Sequence, residues 1–308
     1  AYMTDVGAIA GDDGRVRFPR PIVLKMLAIA ARNITLNAQN PKHDLLLSGS
    51  RVHFGTAGAA VHVVDVQNNV YRESHLADIY DAARIVENME NIHFFQRPMV
   101  ARDIEDPAAL DLNTLYAALK GTTKHVGVSF TEATFMAPCI SMLHDIAGGE
   151  DKWRERPFVS NSNCFVVPPL RFATESCLVM EEAVKAGMPV LLLSAGQAGA
   201  TAPASIAGAV AQALSEVVAG LIYVNAMVAG HPCIVGTWPF VSDLRTGAMS
   251  GGSGEQGLLT AACAQMLRHF DLPGGAASGM ADSKMPDAQS GYEKGSTAVL
   301  AGLAGLNM

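Results

Sequence analysis

The chain has 308 residues, 49% hydrophobic and 17% charged, and a formal net charge of -7. That supplies enough apolar material for one large buried core. With no basic run, the acidic balance excludes a nucleic-acid footprint and fits a soluble enzyme. The five cysteines (Cys139, Cys164, Cys177, Cys233 and Cys263) form no C-x-x-C pair. An odd, scattered set argues against a disulfide framework or structural zinc and for reduced thiols in a cytoplasm. No signal peptide opens the chain, and the apolar run over 206–230 is interrupted by Glu216. The start at Ala1 and the stop at Met308, just after a helical pattern, lead us to expect a piece of a longer protein or one with disordered ends.

In chain order, the first part differs from the rest. Gly11-Asp12-Asp13-Gly14 is a turn signal. Arg51-Val-His-Phe54 and Val61-His-Val-Val-Asp65 flank a Gly/Ala turn and read as a hairpin. Residues 1–72 are therefore expected to form an N-terminal α/β cap with a β-hairpin on a barrel over 73–308. From there strands and helices alternate. Helical periods cover 76–89, 108–119, 133–146, 174–186, 205–227, 255–269 and 288–303, and strands are expected over 91–96, 124–130, 157–163, 189–194, 232–238 and, weakly, the Gly-rich 272–278. Gly305 onward would start another.

Repeated strand–helix units imply parallel strands with right-handed crossovers, and eight of them close into a (β/α)8 TIM-type barrel. A doubly wound open sheet is the competing architecture. The persistence of the rhythm, and the lack of a Gly-rich dinucleotide fingerprint after the first strand, favour the barrel, with an eighth strand incomplete in this chain.

Barrel chemistry sits at the carboxyl ends of the strands. There the sequence places His93, Phe95 and Gln96; Ser129, Thr131 and Glu132; Asn161 and Asn163; Ser194 and Gln197; Trp238, Phe240 and Asp243; and Ser278 and Asp282. Any one such residue is as well explained as a helix cap or turn former; their convergence is the signal. The long glycine-rich stretch 237–255 carries Trp238 and Phe240, whose faces suit a quaternary ammonium, with Asp243 and Arg245 as a brace. The stretch 278–294 is dense in binding and proton-transfer groups: Asp282 and Lys284 are its site candidates, Asp287 reads as a helix cap, and Tyr292 lies on the helix. The histidines form no metal constellation, and His93 is singled out because its strand runs toward the expected mouth.

Several motifs recur in a familiar order: His43-Asp44-Leu45 with Arg51-Val-His-Phe-Gly55, Asn91-Ile-His-Phe, Gly148-Gly149 before Arg154-Glu-Arg-Pro-Phe158, Ala198-Gly-Ala-Thr-Ala-Pro203, Asp243-Leu-Arg-Thr-Gly-Ala248, and Asp282-Ser-Lys-Met-Pro-Asp-Ala-Gln-Ser-Gly-Tyr-Glu293. They cover nearly the whole chain, which resembles the trimethylamine methyltransferase family, including its non-pyrrolysine glycine betaine methyltransferases. The resemblance implies a (β/α)8 barrel and methyl transfer from a small methylated amine to cobalamin (a corrinoid) carried by a separate protein; no Asp-x-His-x-x-Gly corrinoid motif occurs here. It also implies a cytoplasmic enzyme, often oligomeric, with no metal, nucleic-acid or membrane partner of its own. Trimethylamine-specific members carry pyrrolysine inside the barrel, whereas every position here is a standard residue, which favours glycine betaine or a related betaine over trimethylamine. The resemblance further implies family segments before Ala1 and after Met308, with most of the eighth strand, that are expected to lie outside this chain.

The expected mouth holds the cation between aromatic faces and carboxylates: Phe95, Glu132, Trp238 and Asp282. Arg245 or Lys284 would meet a betaine carboxylate. Glu132, Asp282 and Lys284 are the expected catalytic groups, and His93, Phe95, Gln197, Trp238, Phe240, Arg245 and Tyr292 the expected substrate-binding ones. Two other readings stay open: a barrel lyase or hydrolase using Asp282 and Lys284 as acid–base groups, and a non-catalytic barrel that binds methylated amines.

Overall fold

Short apolar runs bounded by turn residues become parallel strands in the computed structural model, which describes residues 1–65 and 67–308. Six of them form one sheet: β1 (Phe94–Gln96), β2 (His125–Val128), β3 (Val159–Asn163), β4 (Val190–Ser194), β5 (Cys233–Thr237) and β6 (Gly274–Gly275). Each is hydrogen-bonded to the next in sequence and all run parallel. The connections contain α1 (Leu76–Glu87) before β1, then α2 (Pro107–Gly121), α3 (Met136–Ala147), α4 (Thr174–Lys185), α5 (Ile206–Met227) and α6 (Gly254–His269), with α7 (Ala288–Leu303) after β6. Local chemistry sets their starts: Asp106 caps α2 ahead of Pro107 at its first position, Ser205 caps α5, and Asp287 caps α7.

The sheet is curled. Phe94 on β1 packs in one cluster with Leu191 and Leu193 on β4 and Ile234 on β5. Strands four places apart in a flat sheet are separated by roughly 19 Å, whereas here both sides pack on the same few residues of one hairpin, Ile34–Leu36 with Leu45–Leu47. The ladder also continues past both edges. Gly55 bridges Phe94 in parallel, and the His93 N–H donates to the Phe54 carbonyl at 2.6 Å. At the other edge the N–H groups of Asn307 and Met308 donate to the Gly274 carbonyl, and the His53 N–H donates to Asn307 at 3.1 Å. The result is a six-stranded curled α/β sheet whose edges are linked by two short segments, 53–55 and 307–308, joined to each other by the bond from His53 to Asn307.

That arrangement corrects one sequence-level expectation. The stretch 51–54 does not pair with 61–65; it lies along the sheet edge beside Phe94. The hairpin forms instead between His62–Asp65 and Val70–Glu73. A second hairpin, Ile34–Leu36 with Leu45–Leu47, was not anticipated. Its Ile34, Leu36, Leu45 and Leu47 join Phe94, Leu191 and Ile234 inside the curl and plug its amino end. His125, facing inward from β2, pins this plug through the Asn37 carbonyl at 2.6 Å.

The larger core lies between sheet and helices, with Val126, Val128, Val159, Val190, Leu192 and Val235 facing α-helical residues such as Leu115, Leu143, Met180 and Leu221. Strand side chains therefore alternate between the two cores. Helix α5 is long and apolar enough to cross a membrane, but more than half of that stretch is buried against the fold, where Gly220 makes room for the Phe165 ring.

Candidate functional site

With the amino end plugged, the open volume of the curl lies toward the carboxyl ends of the strands. A cavity of about 760 Å³ occupies it. Its walls come from the ends of the strands and the loops that follow: Gln96 and Arg97 after β1, Ser129 after β2, Ser162 and Asn163 on β3, Ala195 after β4, Trp238 and Phe240 after β5, and 275–280 after β6. The Gly/Ala stretch 55–59 forms another side. The size suits a small organic molecule.

The lining is mostly apolar, with few polar groups, and several of these are buried without partners. Gln96 Oε1, the Arg97 Nε, Asn163 Oδ1 and Trp238 Nε1 are all shielded and make no hydrogen bond. Native proteins pair most buried polar atoms, so four orphans among the lining residues of one cavity call for an explanation, and a ligand that pairs them is one. Gln96 depends on its neighbour for its pose. A Cβ on Gly127, which faces it from β2, would lie 1.8 Å from Gln96 Oε1. Gly127→Ala is expected to expel that amide from the wall and cost about 1–3 kcal/mol by overpacking, read from urea denaturation; an unchanged midpoint would show that Gln96 has another place to go.

Charge in the cavity is sparse. Among the described residues no Asp or Glu lines it, and Arg97 is the one Lys or Arg. Burial lowers the proton affinity of Arg97 from its ordinary value, partly offset by the field of Asp111. His53 also lines the cavity, and burial pushes its imidazole down toward the neutral form.

The structure brings together two of the ten residues expected from sequence, Trp238 and Phe240. The other eight lie elsewhere. His93 precedes β1 and so stands at the amino end, opposite the mouth, where its Nδ1 accepts from the Phe54 N–H at 3.0 Å. Phe95 is fully buried on the helix side, because its neighbours Phe94 and Gln96 take the inward positions. Glu132 is outside the lining and stands just before a short helical turn, with Thr134 Oγ1 3.4 Å from its carboxylate. Gln197 uses its backbone to fold its own turn, its carbonyl accepting from three successive N–H groups at 200–202.

Asp282 is a brace: its carboxylate accepts from Ser250 Oγ (2.7 Å) and the Gly251 N–H (2.8 Å) and so ties the loop after β5 to the loop after β6. Lys284 is exposed and donates to the Asp282 carbonyl. The Arg245 side chain is 90% exposed beside Asp243, and Tyr292 is 78% exposed on α7. The carboxylate-dotted cup is thus replaced by an aromatic, amide-lined cavity with one cation. Arg97, Gln96 and Asn163 are the lining groups that sequence reasoning did not select; Gln96 and Asn163 stood among the strand ends, and Arg97 had the signal of a charge directly following an apolar strand.

A small-molecule cavity at the carboxyl rim of a curled α/β sheet is the place where barrel-type sheets bind their ligands. The trimethylamine methyltransferase (MTTB) family model matches residues 1–308, and the chain belongs to that family. Trimethylamine methyltransferase MttB of Desulfitobacterium hafniense (strain DSM 10664 / DCB-2) is 31% identical over 293 residues, covering 95% of this chain and 59% of the relative. MttB of Methanosarcina barkeri is 31% identical over 300 residues, with 95% and 60% covered. The glycine betaine methyltransferase of Desulfitobacterium hafniense (strain Y51) is 30% identical over 295 residues, with 95% and 61% covered. The chain therefore spans about three fifths of the length of the curated relatives it matches. Among solved structures, a dihydropteroate synthetase aligns over 89% of this chain and 91% of its own at a TM-score of 0.49 and 16% identity.

Proposed function

We propose that this chain forms the substrate-binding barrel of a corrinoid-dependent methyltransferase. It would take a methyl group from a quaternary or tertiary amine, glycine betaine or a related betaine ahead of trimethylamine, and deliver it to a corrinoid held by a separate protein. The observation that carries the reading is the presence of Trp238 and Phe240 in the mostly apolar lining of a cavity of small-molecule size, with no Asp or Glu among the described lining residues. Aromatic faces attract an N-methylated cation that cannot donate hydrogen bonds. The membership of the family supports the reaction class.

The chemistry asks little of acid–base groups. A quaternary amine leaves as a neutral tertiary amine, keeping the electron pair of the broken N–CH3 bond, so no proton has to be supplied. The partner's corrinoid, as cosubstrate, takes the methyl group. The residues here would orient the methyl toward the mouth and keep water from the reacting carbon, which is where most of the rate gain would come from. In this reading the enzyme works in the cytoplasm, where its five free cysteines stay reduced.

Trp238→Ala is expected to weaken glycine betaine binding about threefold to thirtyfold, the span of roughly 0.7–2 kcal/mol for a desolvated cation–π contact. Calorimetry on the native and variant proteins checks it, and equal affinities would remove Trp238 from the cage. The function itself is tested by incubating the protein with betaine and the reduced corrinoid protein and following dimethylglycine by mass spectrometry. Betaine binding without any demethylated product would favour a non-catalytic binding protein.

A further inference from the structure

We propose that Arg97 receives an anionic group of the substrate, so that the cavity selects N-methylated amino acids, which carry a carboxylate, over simple methylammonium cations. The proposal rests on reading the cavity as a methylated-amine site and adds the residue that sets its specificity.

Three observations point there. First, Arg97 is the one Lys or Arg among the described lining residues, and no Asp or Glu lines the cavity with it. A bare cation entering this space meets a like charge with no carboxylate among the described lining residues to offset it. A zwitterion brings its own counter-charge. Second, Arg97 takes part in no ion pair within 4.0 Å among the described residues. The acid whose field reaches it, Asp111, is already committed: its two oxygens accept from the Thr131 N–H at 2.7 Å and Thr131 Oγ1 at 2.9 Å. Third, the Arg97 Nε is buried and has no partner. An unpaired guanidinium donor in a shielded position is costly unless something accepts from it.

The guanidinium stays protonated at any working pH and presents a planar fork that matches a carboxylate through two parallel N–H donors. Its place fits the role. Arg97 follows directly on β1, its backbone N–H donates to the Gly127 carbonyl at 2.9 Å, and Pro98 stiffens the chain after it. Trp238 and Phe240 line the same cavity from the loop after β5. A betaine would then be held at both ends, with its trimethylammonium on the aromatic faces and its carboxylate on Arg97. The orphaned indole N–H of Trp238 is a second unpaired donor among the residues of that cavity.

The test compares glycine betaine, its methyl ester and tetramethylammonium by calorimetry on native protein, Arg97→Lys and Arg97→Met. Native protein should bind betaine at least tenfold more tightly than the ester, which keeps the cation and loses the anion. Arg97→Met should erase most of that preference while leaving tetramethylammonium affinity equal or higher, and Arg97→Lys should fall between. The native comparison with the ester stands even where a variant fails to fold. Equal native affinity for betaine and ester overturns the proposal, as does an unaltered preference in Arg97→Met. If native protein binds none of the three, the methylated-amine reading itself falls, which separates the two failures.

Discussion

Replacing Trp153 with alanine is expected to destabilise the fold by about 3–5 kcal/mol, the cost typical of deleting a fully buried large aromatic. Trp153 sits on the short helix Glu150–Glu155 ahead of β3 and is 0% exposed. Its ring meets Phe158 edge-on, with centroids 5.2 Å apart and planes at 89°, a favoured aromatic geometry. Its Nε1 donates to the Ala186 carbonyl at 2.8 Å, at the end of α4. The alanine variant thus loses apolar burial, leaves a cavity and strands a buried carbonyl. Trp153→Phe keeps most of the volume and loses only the hydrogen bond, so it should cost less than half as much. Urea denaturation followed by circular dichroism orders the three proteins. Equal losses in both variants would mean that the hydrogen bond, rather than packing, carries the effect.

The element order was legible because its physics is local. The strand expected over 189–194 forms as Val190–Ser194, and the helix expected over 288–303 forms as Ala288–Leu303, since an apolar run or a capped helical period needs no knowledge of its neighbours. The weak strand over 272–278 shrinks to Gly274–Gly275, because glycine adds little to a strand beyond its backbone bonds.

What failed was non-local. The Gly/Ala stretch after Phe54 looked like the turn of a hairpin, yet the described turn residues are 67–69, where Asn69 takes a left-handed φ of 52°. Which of Phe94, Phe95 and Gln96 faces the cavity depends on a shift of one residue in register, and two adjacent aromatics give no clue to it. Acidic and basic residues in the rim loops drew attention by composition, but Asp282 is spent on holding two loops together. Arg97, followed by Pro98, lies just past the expected strand and outside the residues singled out from sequence. Its significance lies in what is missing around it, and a missing partner is visible only in three dimensions.

Acid should loosen the plug at the amino end of the curled sheet. His125 is fully buried, its Nδ1 at 2.6 Å from the Asn37 carbonyl and its Nε2 at 2.9 Å from Ser160 Oγ. A carbonyl only accepts, so Nδ1 carries the proton and Nε2 accepts from the serine, leaving a neutral ring. Burial pushes its imidazole down to about 4, from an ordinary value of 6.5. In the unfolded chain the ring takes up its proton near 6.5, while in the folded protein it resists until about 4. The stabilising contribution is therefore complete above 6.5 and is lost as pH falls through that interval, up to roughly 3 kcal/mol at about 1.4 kcal/mol per unit. His231, buried against the Met188 carbonyl, shifts the same way and adds to the slope. Asp111 works in the opposite sense, since burial raises its carboxyl and the neutral form it favours is present only at low pH. His125→Gln keeps a donor for Asn37 and cannot titrate. Its urea midpoint should fall at pH 7.5 but change less between pH 7.5 and 4.5 than that of the native protein. An undiminished pH slope in His125→Gln would place the acid-sensitive group elsewhere.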